Sequence, residues 1–284
     1  MFRALFHLLA SLPLPVLHRV GRLAGMLVYA LPGRYRRRLL QNARQAGYRN
    51  PSFARQAAAE TGAMILETPR IWLHTEQCLD LTDSADDQVV RDALAEGRGI
   101  LYLTPHLGCF EITARYTTKH GPITVMYRPP RQAFLEPIVQ HARDMPGLKA
   151  VPASTQGVRE FVRALKRGEA VGMLPDQVPS SGDGIWTPFF GKQAYTMTLA
   201  SKLALQTGVA VILTAGERLP GGKGWRIHYL RLPEPLPSSP QALTASINSA
   251  METLIRRFPQ QYLWSYNRYK IPEEAPPRPA DPPQ

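Results

Sequence analysis

Residues 97–111 read GRGILYLTPHLGCFE, and the fold turns on how that stretch divides. Residues 100–104 form a short apolar run that follows Gly97 and Gly99 and stops at Pro105. An apolar run of that length between turn residues is a strand buried on both faces. A loop through His106 and Gly108 follows, and residues 110–119 then carry a helical pattern. Strand, loop and helix make one βα unit. Further strands are predicted at 123–127, 149–152, 170–174, 209–215 and 225–232, with helices at 132–144, 156–167, 195–207 and 241–257. Strands alternating with helices of this length predict an α/β fold, with a mixed, mostly parallel central sheet flanked by helices. Residues 51–80 precede the rhythm and read as helix.

The composition bounds what this fold can do. The 284 residues are 44% hydrophobic and 20% charged, which excludes wholesale disorder. Two cysteines, Cys78 and Cys109, are too few for a disulfide framework or a cysteine-rich zinc site, and a reducing compartment fits them best. The charge is uneven. Residues 1–50 hold nine Arg and no Lys, Asp or Glu, so that segment carries +9 of the formal +12. Such asymmetry calls for an anionic surface at the N-terminal end.

Nucleic acid and a phospholipid leaflet both qualify by charge, and the hydrophobicity interleaved with the arginines selects the leaflet. Residues 4–17 and 23–31 are apolar, and Arg34, Arg36, Arg37 and Arg38 follow. Each run is shorter than the roughly 20 residues of a spanning helix. The expectation is an N-terminal helical membrane-association segment, residues 1–50, lying in the bilayer surface with arginines at the phosphates. Two amphipathic helices packed on the core are the competing reading. Residues 51–270 then form the α/β domain, and residues 271–284, dominated by proline, a disordered tail. No helix-turn-helix, finger or RNP-like motif supports a nucleic-acid partner.

Three strand ends carry reactive groups, and in open α/β sheets such groups gather where strands end. Thr104-Pro105-His106-Leu107-Gly108-Cys109-Phe110-Glu111 offers His106 as a general base and Glu111 as a carboxylate to orient it. Five residues apart, the pair works only if His106 is in the loop and Glu111 in the first helical turn. Gly108 gives that loop its freedom, and backbone N–H groups near it could face an oxyanion. Tyr127-Arg128-Pro129-Pro130-Arg131 presents Arg128 and Arg131 as a clamp for phosphate or a developing oxyanion, or simply an exposed turn. Leu174-Pro175-Asp176-Gln177 offers Asp176 as an ion-pair partner for Arg128, a substrate contact or a cap. Phe189-Phe190-Gly191 could line an acyl pocket or the core. Cys109 raises the rival idea of a thiol nucleophile, but a free cysteine more often packs as a small hydrophobe. A G-x-S-x-G elbow is absent, which argues against a serine hydrolase. No histidine spacing suits a metal, and none is expected.

Taken in order, these blocks resemble the late acyltransferases of lipid A biosynthesis, within the lysophospholipid acyltransferase superfamily. The resemblance covers roughly residues 5–270: RYRRRLLQNAR with Asn42, the H-x4-D/E motif as HLGCFE, then YRPPR, LPDQ, TPFFG and FPQQYLWS. It implies an O-acyltransferase in lipopolysaccharide biosynthesis at the cytoplasmic face of the cell inner membrane. The implied acyl donor is an acyl carrier protein, and the implied acceptor is a hydroxyl of a lipid A precursor, with another membrane lipid or glycolipid as alternative. It assigns His106 as base, Glu111 as its partner, and Arg128 and Asp176 as supporting residues, with no cofactor. Arg159, Arg163, Lys166 and Arg167 on one helix are candidates for docking the acidic carrier, or an ordinary solvated face. The family's closing signature usually continues with His and Arg, where this chain has Tyr266 and Asn267.

Overall fold

The computed structural model describes residues 2–84, 86–127, 145–179 and 182–282. Ten helices and nine strands fall within these residues. The N-terminal third is helical: α1 (Phe2–Ser11), α2 (Leu14–Ala30), α3 (Arg34–Gln45), α4 (Pro51–Leu73) and α5 (Thr75–Asp80). The sheet region follows as β1 (Thr82–Ser84), α6 (Asp87–Ala95), β2 (Ile100–Leu103), α7 (Phe110–Thr117), β3 (Ile123–Tyr127), β4 (Leu148–Pro152), α8 (Thr155–Lys166), β5 (Ala170–Met173), β6 (Gly184–Phe189), β7 (Lys192–Met197), α9 (Leu199–Thr207), β8 (Ala210–Arg218), β9 (Trp225–Arg231) and α10 (Pro240–Arg257).

Seven strands form one sheet in the order β1-β9-β8-β2-β5-β3-β4. Only the β8–β9 pairing is antiparallel, since a short turn joins those two strands, while the rest are parallel. The expected mixed, mostly parallel sheet is present. β2 lies at its centre with all four residues buried, which is why its sequence is continuously apolar. Side chains alternate between two cores. Leu101, Leu103, Val171, Met173, Val211 and Leu213 pack with α4 and α8–α10. Ile100, Tyr102, Ala170 and Ile212 pack with α5–α7 on the opposite face.

Several boundaries differ from the sequence reading. β6 and β7 form a separate antiparallel hairpin, so residues 195–197 are strand and the helix begins only at Leu199. The helix predicted at 132–144 lies outside the described residues. The Pro-rich segment expected to be disordered makes contacts on this hairpin. Trp186 Nε1 donates to the Pro276 carbonyl at 2.8 Å, and Arg278 donates to the carbonyls of Gln193 and Tyr269 at 2.8 and 3.0 Å.

The helical segment of residues 1–50 is present, and α2 is seated against α4. A Cβ on Gly21 would stand 2.6 Å from the Gly62 carbonyl oxygen, and one on Gly25 would stand 2.1 Å from that of Ala58. Glycines at these positions permit backbone-to-backbone approach. A buried ionic network adds to this packing. His18 is buried, with Nε2 2.8 Å from Glu67 Oε2. Arg218 of β8 donates to Glu67 through Nε (2.9 Å) and Nη2 (2.5 Å), and to Glu60 through Nη1 (2.8 Å). Burial alone would raise the Glu67 carboxyl, but Arg218 and His18 outweigh it and hold it at about 2. The opposite side of α2 is apolar and uncovered, with Val20, Leu23 and Leu27 exposed, and Leu31 just past its end is exposed too. No single helix among the described residues is long and apolar enough to cross a membrane, and α1 and α2 meet at a 120° bend.

Candidate active site

β2 and β5 are parallel neighbours in register, Leu103 opposite Met173. Each chain then runs three residues past its strand end, so His106 and Asp176 arrive side by side at the carboxyl edge of the sheet. Asp176 grips His106 twice: Oδ2 accepts from the His106 backbone N–H at 2.9 Å, and Oδ1 lies 2.8 Å from ring Nδ1. Asp176 is buried and the His106 side chain is 15% exposed. Burial pushes the Asp176 carboxyl up, but the charge and both hydrogen bonds of His106 outweigh that and hold it below its ordinary value. An ionised Asp176 at Nδ1 places the ring proton there and directs the lone pair of Nε2 outward. The Gln177 amide nitrogen lies 3.1 Å from that Nε2.

Glu111, expected to orient His106, is engaged elsewhere. It does lie in the first turn of α7, but its Oε2 accepts from Trp72 Nε1 at 2.9 Å and from Arg115 Nη1 at 3.0 Å. Arg115 is four residues on, on the same helical face, and buried, so it claims the nearer carboxylate. The carboxylate that meets the His106 ring comes instead from the segment that follows β5. Glu111, Trp72, Tyr102, Phe110, Met126 and Met173 line a narrow, mainly apolar cavity of about 90 Å³ beside this edge. Phe110 also packs its ring 4.9 Å from that of His106.

Gly108 has φ +61°, and a Cβ there would stand 2.1 Å from the Gly216 carbonyl oxygen. The residue lets the loop press against β8. Its N–H is already donated to the Gln261 carbonyl at 3.0 Å, and that of Cys109 to Gly216 at 2.7 Å. Neither faces an incoming oxyanion, which corrects the role expected for the Gly108 backbone. Cys109 is buried and its thiol is pushed well above the usual range by burial, so it packs as a hydrophobe. Arg128 and Arg131 lie outside the described residues.

Two features of the site were not read from sequence. One is Gln177, whose amide reaches His106 Nε2. The FPQQYLWS block braces the loop: Leu263 N–H donates to the His106 carbonyl at 3.0 Å, and the Gln261 side chain bonds both the N–H and carbonyl of Arg218 at 2.8 and 3.0 Å. Tyr266 accepts from the Val178 N–H at 2.9 Å. Only the pairing of these segments in space reveals such contacts.

Comparison with known proteins identifies the family. The family model of the bacterial lipid A biosynthesis acyltransferases matches residues 2–271. A lipid A biosynthesis lauroyltransferase of Escherichia coli is 26% identical over 95% of this chain and 91% of its own length. A lipid A biosynthesis palmitoleoyltransferase of the same organism is 28% identical over 64% of this chain and 59% of its own. A lipid A biosynthesis acyltransferase of Haemophilus influenzae is 24% identical over 62% of this chain and 55% of its own. With a family match that runs over residues 2–271, nearly end to end, this chain belongs to the bacterial lipid A biosynthesis acyltransferase family.

Proposed function

We propose that the enzyme moves a fatty acyl group from acyl carrier protein to a hydroxyl of a lipid A precursor, with His106 as general base. The observation that carries the proposal is the Asp176–Nδ1 hydrogen bond, which leaves Nε2 as the proton acceptor. A lipid hydroxyl is too weak an acid to ionise unaided near neutrality, and a positioned base contributes about 10²–10⁴ in rate. The hydroxyl takes the place of the Gln177 amide at Nε2 and gives its proton to the ring as its oxygen bonds to the thioester carbon. The C–S bond of the tetrahedral intermediate then breaks, and the imidazolium returns the proton to the departing thiolate. No acyl-enzyme forms. Arg128 and Arg131 are assigned the oxyanion or a phosphate, since the N–H groups of Gly108 and Cys109 are spent. Glu111 is a positioning residue that ties Trp72 and Arg115 to the start of α7 and shapes the apolar cavity, which receives the acyl chain.

The exposed apolar side of α2 supports a seat on the cytoplasmic face of the inner membrane, with the following arginines at the anionic surface. The exposed Arg159 and Lys166 of α8, beside Arg163 and Arg167 that already pair with Glu160 and Glu169, are assigned to the acidic carrier. Tyr266 and Asn267, where the family usually has His and Arg, favour a second reading in which another glycolipid is the acceptor. Mass spectrometry of lipid A from a strain lacking the protein tests the choice. Loss of one secondary acyl chain is expected, and an unchanged profile sinks the lipid A reading. Purified His106→Ala at undiminished rate would refute the base.

A further inference from the structure

A second concave site lies away from His106, and the acyl-transfer chemistry does not use it. It is a cleft of about 1140 Å³ between α3, the β6–β7 turn, the end of α10 and the 267–278 segment. Six cations line it: Arg38, Arg44, Arg49, Lys192, Arg256 and Arg278. Among the described residues no carboxylate pairs with Arg38, Arg44, Arg49 or Lys192, and Arg256 reaches only Glu252, at 4.0 Å. A concentration of unneutralised cations in a concavity repels itself unless an anion enters.

The cleft is built rather than incidental. Lys192 stands over the Tyr269 ring at 5.4 Å and Arg256 over the Phe190 ring at 4.9 Å, so aromatic faces hold both heads in place. Arg278 is anchored by two carbonyls, and its buried Nε has no hydrogen-bond partner. Phe190 adopts φ +47°, a conformation that disfavours any side chain but glycine's. It is held there by Glu252 Oε1, which accepts from its N–H at 2.6 Å, and by Gln45, which donates to its carbonyl at 2.9 Å. The strained Phe190-Gly191 turn thus places Phe190 and Lys192 on the cleft wall.

The cleft also connects to the base. Asn42 of α3 donates to the carbonyls of Trp264 and Tyr266, both at 2.7 Å. Tyr266 in turn accepts from Val178, next to the Gln177 that touches His106. Asn267 lines the cleft directly. Two short segments separate the arginines from the sheet edge, and α3 begins three residues past the exposed Leu31.

From this placement, we infer that the cleft binds the phosphomonoester headgroup of an amphiphilic acceptor while its acyl part reaches His106. The inference deepens the acyltransferase reading and rests on it for the acceptor. Guanidinium forks match phosphate oxygens in pairs. A concave, open-mouthed cleft suits a compact polyanion better than the convex face of an acidic protein.

The test uses the full chain and a binding readout that needs no turnover. Flotation compares phosphatidylcholine vesicles containing phosphatidic acid, a phosphomonoester, with vesicles containing phosphatidylglycerol at matched surface charge. Wild-type protein should prefer phosphatidic acid, inorganic pyrophosphate should compete, and Arg44→Glu/Arg49→Glu should weaken that binding about tenfold or more. Both arginines are exposed, so the fold should hold, and Arg44→Lys/Arg49→Lys should recover part of the binding. Equal loss on both vesicle types reveals a nonselective basic surface and overturns the inference. Pyrophosphate binding without any vesicle preference assigns the cleft to free phosphate and overturns it too. If the headgroup preference stands while acyl transfer to any lipid fails, the acyltransferase reading falls and the anion site survives.

Discussion

Replacing Asp176 by Asn tests the His106 pairing most directly. Wild-type Asp176 only accepts: one oxygen takes the His106 backbone N–H at 2.9 Å and the other takes the Nδ1 proton at 2.8 Å. Asn is the same size but has one acceptor and one donor. If its oxygen keeps the backbone N–H, its NH₂ faces Nδ1, and the ring must carry its proton on Nε2. The base nitrogen is then occupied in the resting enzyme. A wrong tautomer at a catalytic histidine costs up to about 10⁴ in rate, and loss of base catalysis about 10²–10⁴. At about 1.4 kcal/mol per tenfold, the barrier should rise by roughly 3–5 kcal/mol. The assay is initial-rate acyl transfer at saturating donor, with thermal melting to establish that the variant is folded. A folded Asp176→Asn enzyme with a near-wild-type rate would refute the pairing and return Glu111 to the role.

Four further outcomes follow from the contacts described. Glu111→Ala should lower melting temperature as well as turnover, because buried Arg115 loses its carboxylate four residues away; a stable but inactive variant would instead place Glu111 in the chemistry. Glu67→Gln should flatten acid unfolding: a carboxyl held at about 2 against an ordinary 4.5 contributes stability at neutral pH that is lost as pH falls from 4.5 towards 2. That displacement corresponds to about 3 kcal/mol, read as the difference between wild-type and variant denaturation curves at pH 7 and near pH 2. Cys109→Ala should leave turnover largely intact, and trapping of an acyl-cysteine on wild-type protein by mass spectrometry would contradict that. Gly108→Ala should unseat the His106 loop from β8, seen as loss of activity together with lowered stability.

What could be read from the chain and what could not divides by sequence distance. The apolar runs of β2 and β5 stop three residues short of His106 and Asp176, so the placing of these two groups at one sheet edge was legible in the pattern alone. Their partners were not. His106 meets a carboxylate 70 positions away, set by strand order, whereas Glu111 looked closer only along the chain. His18 lay in an apolar, arginine-bearing stretch that suggested lipid, yet Glu67, 49 positions on, draws it into the core. β1 is three residues of polar sequence, Thr82–Ser84, and offers no alternation to detect. The β6–β7 hairpin was obscured because Phe190, not glycine, opens its turn with positive φ.

The seating of α2 has a practical consequence for handling this enzyme. Its inward side meets α4 backbone to backbone, and its histidine belongs to an ionic cluster that includes Arg218. Cutting away the greasy first 30 residues would strip one wall from the cluster and leave a trench of small residues, Ala58, Ala59, Gly62 and Ala63, open along α4. The greasy helix is a structural member of the enzyme, and its exposed Leu23 and Leu27 will have to stay with any fragment that keeps the cluster intact.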